Sequence, residues 1–369
     1  MNSRATMSSL TARQRHHDLI VIGGSAGALE ALRQIVGKLP RRLPAAMCVV
    51  IHTSATSARL LAAILERSGP LPASYPTDGE PIVPGRIYVA SPDHHLLIER
   101  STLRVTKGPK ENRFRPAVDP LFRTAAHTFG SRVIGVILSG GDGDGTLGLA
   151  AVARAGGVTI AQSPDDAIVT GMPASAIEFA DVDHVLPADE IPALLSRLVG
   201  DSGTKAMVQK GKPKLKSTAG RRQKPDTAEA GGALSPAGVG TRKPPSIFIC
   251  PECGGPLWES EENGLLRYHC HVGHAFTAEA FVGAQADALE QALWTALRSL
   301  EEGAALRRRM AAHARGRGLA AIAERFDDDG DDLEQRAAMV RKALVVEDVP
   351  TNKDRPAVIE ERARQAAKR

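Results

Sequence analysis

The sequence predicts an α/β protein: a doubly wound, mostly parallel sheet with an antiparallel edge hairpin, followed by a small zinc module and carboxyl-terminal helices. The first observation is a series of continuous apolar runs, typical of strands buried on both faces of a parallel sheet, at residues 19–22, 47–52, 86–91, 133–140, 158–162 and 183–187. The second is helical spacing between several of these runs, at residues 58–67, 120–129, 146–155 and 173–179. Residues 86–106 depart from this alternation, and there we expect an antiparallel hairpin at the sheet edge.

The first strand runs into a glycine-rich turn and then into a helix, within residues 18–32. Ser25 lies in this turn with Gly23 and Gly27 two residues to either side. This is the arrangement of a nucleophile elbow, in which a serine hydroxyl stands at the carboxyl end of a strand beside backbone N–H groups that can receive an oxyanion. A phosphate-binding turn is the alternative, although the glycine spacing is not G-x-G-x-x-G. Ser25 is therefore the candidate nucleophile.

Two further strands end in residues that carry chemistry. His52 directly follows the run MCVVI, and Asp142 and Asp144 lie in the glycine-rich loop after VIGVILS. Because the carboxyl ends of parallel strands meet at one sheet edge, Ser25, His52 and an aspartate form an expected set of nucleophile, general base and base-orienting acid. The alternatives are a hydrogen-bonded loop histidine and turn-forming aspartates. A calcium loop is disfavoured because its spacing of acidic residues is missing.

Composition limits the class of protein. The chain has 369 residues, 43% hydrophobic and 4% aromatic, which is enough for more than one domain with an aliphatic core. The first 17 residues lack the apolar stretch of a signal peptide, and no run has the length of a membrane span. We therefore expect a soluble cytoplasmic protein without membrane insertion, in which Cys48 is a small buried apolar residue.

The formal charge of +5 is concentrated in residues 201–245. This segment has ten basic and three acidic residues and is rich in Pro, Gly, Ser and Ala without periodicity. Such a composition is typical of a disordered linker, and the rest of the chain is slightly acidic, so we expect no specific nucleic-acid binding. The linker separates a predicted catalytic domain at 18–200 from the carboxyl-terminal part, and residues 1–17 are predicted to be disordered.

The segment 246–277 carries cysteines and histidines at metal-ligand spacing. Cys250 and Cys253 form a C-x2-C pair, and Cys270 and His274 form a C-x3-H pair, a combination that indicates a tetrahedral zinc site. His271 is the alternative fourth ligand, and His274 is favoured because it allows a less strained chelate. Four protein ligands close the site, so the Zn²⁺ is expected to be structural. We also expect the long linker to leave this module independent of the catalytic domain.

Residues 278–345 are rich in Ala, Leu, Glu and Arg with helical apolar spacing. Breaks are expected at Gly316–Gly318 and at the acidic stretch Asp327–Asp332, which predicts a helical hairpin. The hairpin could serve as a structural cap or as a docking surface, and the sequence does not distinguish the two roles. Residues 346–369 are expected to form a charged, frayed tail.

Residues 18–200 resemble the catalytic domain of CheB-type protein-glutamate methylesterases. The resemblance rests on seven motifs in the order of the family: IGGSAGALEAL, VIHTSA, GRIYVASPDHHL, RPAVDPLF, VILSGGDGDGTLGLAAVARAGG, AQSPDDAIVTGMPASAI and VDHVLP. It implies a serine hydrolase that demethylates glutamate methyl esters on chemoreceptors, in some members also deamidating glutamines, without a catalytic cofactor. It further implies Ser25 as nucleophile, His52 as base, and Asp144 rather than Asp142 as the orienting acid.

The chain departs from the family pattern in two ways. Ala26 stands where the family commonly has Thr, and Gly141 stands where it commonly has Met. Typical members also carry an amino-terminal receiver domain, whereas 17 residues precede the first strand here, so we expect no activation by phosphorylation within the chain. Elements similar to CPxCGG and CxVGH follow the methylesterase domain in some relatives without a receiver.

The expected partners are a methylated chemoreceptor or receptor-like protein, together with a methyltransferase or other signalling proteins. The alternative function is a non-catalytic sensory scaffold that retains the domain for binding. Release of methanol from a methylated receptor separates the two.

Overall fold

The computed structural model describes residues 17–200, 244–262 and 264–345. Nearly all of the predicted amino-terminal segment and of the predicted linker, and all of the predicted charged tail, lie outside these residues. None of the helices in the described part is both long enough and apolar enough to cross a bilayer.

Residues 17–200 form a parallel sheet of seven strands and a separate hairpin. In chain order the strands are β1 (Leu19–Gly24), β2 (Ala46–Ile51), β3 (Ala73–Ser74), β4 (Ile87–Val89), β5 (His95–Glu99), β6 (Thr102–Thr106), β7 (Val133–Ile137), β8 (Val158–Gln162) and β9 (His184–Leu186). The order across the large sheet is β3-β4-β2-β1-β7-β8-β9, and all of its pairs are parallel. The central strands β1, β2 and β7 are the three that the sequence places before Ser25, His52 and Asp144.

Six helices cover the two faces of this sheet: α1 (Ala28–Gly37), α2 (Leu61–Ser68), α3 (Val118–Phe129), α4 (Thr146–Arg154), α5 (Gly171–Phe179) and α6 (Ile191–Gly200). Alternate residues of β1 point to opposite faces, as strand geometry requires. Ile20 and Ile22 pack in a core with α1, α2 and α6, whereas Leu19 and Val21 pack in a second core with α3, α4 and α5. The predicted doubly wound architecture is confirmed, and Cys48 is fully buried in the second core.

The predicted antiparallel hairpin is present as β5–β6, which forms a two-stranded sheet of its own. It packs on α3, where Ile98 N donates to Thr124 Oγ1 at 3.0 Å. The preceding run, expected to be part of the same antiparallel section, is instead β4, which lies in the large sheet parallel to β2. The short strand β3 and the helix α6 were not predicted.

The carboxyl-terminal part begins with a small antiparallel sheet of β10 (Leu257–Glu262), β11 (Leu265–Cys270) and β12 (Ala275–Thr277). Its core is aromatic, with Phe281 contacting Phe248, Tyr268 and Phe276. Contrary to the expected independence of this module, β12 lies against the loop 107–116 of the catalytic domain: Ala275 N donates to the carbonyl of Lys110 at 3.4 Å.

The helices α7 (Ala278–Gly316) and α8 (Ala320–Val345) form the predicted hairpin, with the expected break between them. The second expected break, at Asp327–Asp332, is wrong, because α8 continues through it. Arginines of α7 pair with these acidic side chains across the hairpin: Arg315 pairs with Asp327, and Arg308 with Asp331. These pairs, with the packing of Ala311 and Phe326 between the helices, offset the low helix propensity of aspartate.

The close contact of α3 with α4 requires a glycine. A Cβ atom built on Gly148 of α4 would lie 2.6 Å from Phe122 Cβ and 3.1 Å from the backbone of Asp119. By contrast, a Cβ atom on Gly330 of α8 would meet its nearest atom at 3.7 Å.

We therefore expect opposite effects from two glycine-to-alanine changes in helix interiors. Alanine gains about 1 kcal/mol of helix propensity over glycine, but overpacking a fixed core contact costs about 1–3 kcal/mol. Gly148→Ala should lower the melting temperature of the full chain. Gly330→Ala, the matched control, should leave it unchanged or raise it. Scanning calorimetry measures both, and a Gly148→Ala protein as stable as the parent would contradict the packing described here.

Candidate active site and metal site

Ser25 lies in the sharp turn between β1 and α1. Gly27 has a φ of 81°, in the left-handed region that glycine adopts without strain, and it directly precedes the first helical residue, Ala28. Ser25 N donates to Ser139 O at 2.9 Å, which ties the turn to the end of β7. The geometry is the strand–turn–helix expected of a nucleophile elbow.

His52 follows β2 and is anchored by its backbone N–H, which donates to Gly24 O at 3.1 Å. Its ring lies flat on Phe114, with ring centres 3.6 Å apart and an angle of 11° between planes. Nε2 lies 2.7 Å from Asp144 Oδ2, and the His52 side chain is 4% exposed. Two of the three predicted residues are therefore in direct contact, and the ring has one orientation.

The Asp144 carboxylate is fully buried and accepts four hydrogen bonds. Oδ2 accepts from His52 Nε2 and from Val118 N at 2.6 Å, and Oδ1 accepts from Asn112 Nδ2 at 2.8 Å and from Asp119 N at 3.2 Å. Burial by itself raises the pKa of Asp144, but the hydrogen bond and charge of His52, with the other donors, hold it below its ordinary value. Asp144 is therefore ionised near neutral pH.

The ionised carboxylate determines which ring nitrogen of His52 is basic. Because Asp144 Oδ2 accepts a hydrogen bond, Nε2 carries the proton, and the lone pair of the neutral imidazole is on Nδ1. Nδ1 is buried and has no hydrogen-bond partner among the residues that the structure describes. Nδ1 is thus the nitrogen available to take a proton.

The two aspartates of the glycine-rich loop have different surroundings. Asp142 pairs with Arg113 at 3.5 Å, and both side chains are 28% exposed. Asp144 contacts the histidine and is inaccessible to solvent. The geometry therefore agrees with the choice of Asp144 that the family resemblance implies.

A second buried carboxylate, Asp119, was not singled out from the sequence. Its Oδ1 accepts from Gly148 N at 2.6 Å, and its Oδ2 accepts from Asn112 Nδ2 at 3.0 Å. Burial, and then the charge of Asp144, raise the pKa of Asp119 to about 7. Asn112, also missed, lies between the two carboxylates and donates to both. A sequence signal for Asp119 was present, since it belongs to the motif RPAVDPLF, but nothing local shows that Asp119 or Asn112 contacts Asp144.

Ser25 and His52 line the same cavity, of about 400 Å³. The 107–116 loop forms another of its sides, through Lys110, Arg113, Phe114 and Arg115. The two residues with nucleophile and base chemistry therefore line one cavity together.

The predicted metal ligands also come together. The Sγ atoms of Cys250, Cys253 and Cys270 and Nδ1 of His274 lie within 4.8 Å of one another. Cys253 Sγ to Cys270 Sγ is 3.6 Å, and Cys270 Sγ to His274 Nδ1 is 3.5 Å. A tetrahedral zinc with Zn–S bonds of about 2.3 Å places its ligand atoms roughly 3.7 Å apart. The four side chains fit such an ion, and His271, the alternative ligand, is not part of the group.

The comparisons with known proteins concern the catalytic domain. The family model described as CheB methylesterase matches residues 20–195. A Rhodospirillum rubrum protein named protein-glutamate methylesterase/protein-glutamine glutaminase 1 is 37% identical over 192 residues, which are 50% of this chain and 50% of that protein. A Leptospira interrogans relative, whose name gives the same two activities provisionally, is 38% identical over 50% of this chain and 95% of its own length.

Among solved structures, the crystal structure of the Thermotoga maritima CheB methylesterase catalytic domain matches with 37% identity. It covers 50% of this chain and 99% of that chain, with a TM-score of 0.48. The chain spans about half the length of the first curated relatives it matches. Residues 244–345 lie outside the segment that the family model covers.

Proposed function

Since this chain belongs to the CheB methylesterase family, we propose that it is a serine hydrolase that demethylates glutamate methyl esters on a chemoreceptor or receptor-like protein. The observation that carries the proposal is the buried, ionised Asp144 bound to His52, with His52 Nδ1 left basic beside the cavity that Ser25 lines. This is the constellation of a nucleophile, its base and the group that orients the base.

In the proposed reaction His52 Nδ1 takes the proton of Ser25 Oγ, and Oγ attacks the ester carbonyl carbon. Backbone N–H groups at the start of α1 and near Gly141 stabilise the negative charge that develops on the carbonyl oxygen. The bond to the methoxy group breaks, and His52 returns the proton so that methanol leaves. A water molecule, deprotonated by His52, then attacks the acyl-serine. The acyl–Oγ bond then breaks, His52 returns the proton to Ser25 Oγ, and the glutamate side chain is released.

The same sequence of steps deamidates a glutamine when ammonia replaces methanol as the leaving group. We include this second activity in the proposal because the names of the relatives combine methylesterase with glutaminase. The substrate is expected to be a methylated receptor, with a methyltransferase as the opposing enzyme. The clustered cysteines, none of them in a disulfide, support a reducing, cytoplasmic location.

We further propose that Cys250, Cys253, Cys270 and His274 bind one structural Zn²⁺. The support is the donor set, three thiolate sulfurs and one imidazole nitrogen at tetrahedral separations. With four protein ligands the ion has no open position for a substrate, so every reacting group of the proposed hydrolysis comes from the catalytic domain.

The first prediction concerns the nucleophile and the base. Ser25→Ala and His52→Ala should each lower turnover by about 10⁴-fold, because the members of such a triad act as a unit. Methanol released from a methylated receptor fragment is the measurement, with circular dichroism to verify folding. Ser101→Ala, which changes an exposed serine outside the cavity, is the control and should be fully active. A Ser25→Ala protein that retains most of its activity would move the nucleophile elsewhere.

The second prediction separates the two aspartates of the loop. Asp144→Asn should lower turnover by roughly 10⁴-fold, because an amide at this position favours the wrong imidazole tautomer. Asp142→Asn, the matched change two residues away, should lower it by no more than about tenfold, since it removes only a partly exposed ion pair. The opposite ranking in the same methanol assay would assign the orienting role to Asp142.

The third prediction concerns the metal. The purified full chain should hold about one Zn²⁺ per molecule, measured by plasma mass spectrometry. His274→Ala should lower this content strongly because a ligand is lost, whereas His271→Ala should retain it. Loss of zinc on the change at His271 instead would reverse the assignment of the fourth ligand.

A further inference from the structure

The loop 107–116 connects the active site to the cysteine module, and Asn112 is its central residue. Asn112 is 3% exposed, and its side-chain amide donates to Asp144 Oδ1 at 2.8 Å and to Asp119 Oδ2 at 3.0 Å. Both amide hydrogens are thus used on carboxylates of the catalytic domain. The amide is one of three donors, with Val118 N and Asp119 N, that hold the Asp144 carboxylate beside His52.

The remaining polar groups of Asn112 face the module. Its backbone N–H donates to Ala275 O at 2.8 Å, and its side-chain oxygen accepts from Thr277 N at 2.9 Å. Ala275 and Thr277 are the two ends of β12, and both are buried. One side chain therefore spans from the backbone of the module to the carboxylate that orients the histidine.

The backbone conformation of the loop needs this support. Asn112 has a φ of 49° and Arg113 a φ of 74°, in the left-handed region that costs free energy for residues other than glycine. Such conformations persist where surrounding contacts determine them. At Asn112, two of those contacts are the hydrogen bonds to β12.

Two ion pairs attach the module to the same loop. Glu111 accepts from Arg267 of β11 at 3.3 Å and from Arg123 of α3 at 2.8 Å. Nζ of Lys110, which lines the cavity, lies 2.9 Å from Oε1 of Glu252, one of the two residues between Cys250 and Cys253. The module thus contacts three consecutive residues of the loop, 110–112.

β12 lies directly beside the candidate metal site in the chain. β12 begins one residue after His274, and its partner strand β11 ends at Cys270. A strand of three residues in a sheet this small has little core of its own, and modules of this size depend on their metal to fold. Removal of the ion would free β12, and with it the two hydrogen bonds that hold Asn112.

We propose that the metal-loaded module is part of the active-site scaffold, and that Asn112 is the positioning residue through which Zn²⁺ at Cys250, Cys253, Cys270 and His274 controls the orientation of Asp144. The expected effect on turnover rests on the proposed hydrolase function. The expected effect of the metal on the 107–116 loop rests on the contacts alone. Turnover then depends on an ion that takes no part in the chemistry.

The test compares metal removal with Asn112→Ala in the full chain. Chelation of the parent protein should lower kcat by about 10- to 100-fold with KM nearly unchanged, as is typical when a supporting hydrogen bond is lost, and added Zn²⁺ should restore it. Asn112→Ala should show a similar fall in kcat while still binding about one Zn²⁺ per chain. Arg154→Gln is the control: it breaks a contact with Glu262 of the module in which no residue of the loop takes part, and should leave kcat unchanged.

The decisive arm combines the two changes. If the metal acts through Asn112, chelation of the Asn112→Ala protein should cause little further loss, because effects on one pathway do not add. Losses that multiply would overturn the role of Asn112, and a metal-free parent with full kcat would overturn the proposal as a whole.

Hydrogen exchange separates this inference from the proposed function. Chelation should raise amide exchange in the 107–116 loop, whereas strands β1 and β7 should stay protected. This readout needs no substrate. A zinc-loaded parent protein that hydrolyses no ester would refute the hydrolase proposal. The exchange data would still test the link between the metal and the loop: unchanged protection of the loop after metal removal would refute that link.

Discussion

Three separate segments of residues 17–200 meet around one buried charge, the carboxylate of Asp144. An ionised carboxylate without solvent is costly unless hydrogen bonds replace its water, and Asp144 receives those bonds from three separate segments: the end of β2, the 107–116 loop and the start of α3. Val118 N and Asp119 N belong to the first turn of α3. Ala117, the residue before this helix, makes no side-chain hydrogen bond to cap it. The two oxygens of Asp144 therefore cap this helix, and one of them, Oδ2, also contacts His52.

The neighbouring carboxyl group, Asp119, shows why the negative charge resides on Asp144. Asp119 and Asp144 share the amide of Asn112, yet their pKa values move in opposite directions. Asp119 faces α4, and its environment raises the pKa, whereas Asp144 faces an imidazole that can become positive. Two buried carboxylates so close together are tolerated because one readily takes up a proton near neutral pH while the other stays ionised.

Most strands of the sheet, and the candidate residues at the carboxyl ends of β1, β2 and β7, could be predicted from the sequence. Apolar runs, glycine turns and the residue after each strand are local signals. The contacts of Asn112 could not be predicted, since its partners are Asp144 and a strand more than 160 positions along the chain. The docking of the cysteine module was missed for a related reason. The basic segment before the module indicated that the module is independent of the catalytic domain. Composition does not show which residues the sequence after a linker will contact. The continuous helix through Asp327–Asp332 depended on arginines of another helix.

The strand order has a consequence for how the protein is made. Leu19 at the start of β1 pairs with Ala46 of β2 on one side and with Val133 of β7 on the other. A ribosome-bound chain that has released only its first hundred residues holds the serine and the histidine but no carboxylate to orient the ring. Contacts so distant in sequence form late, and Thr277 reaches Asn112 later still. The set of contacts around Asp144 and Asn112 is therefore complete only after synthesis has passed the cysteine module.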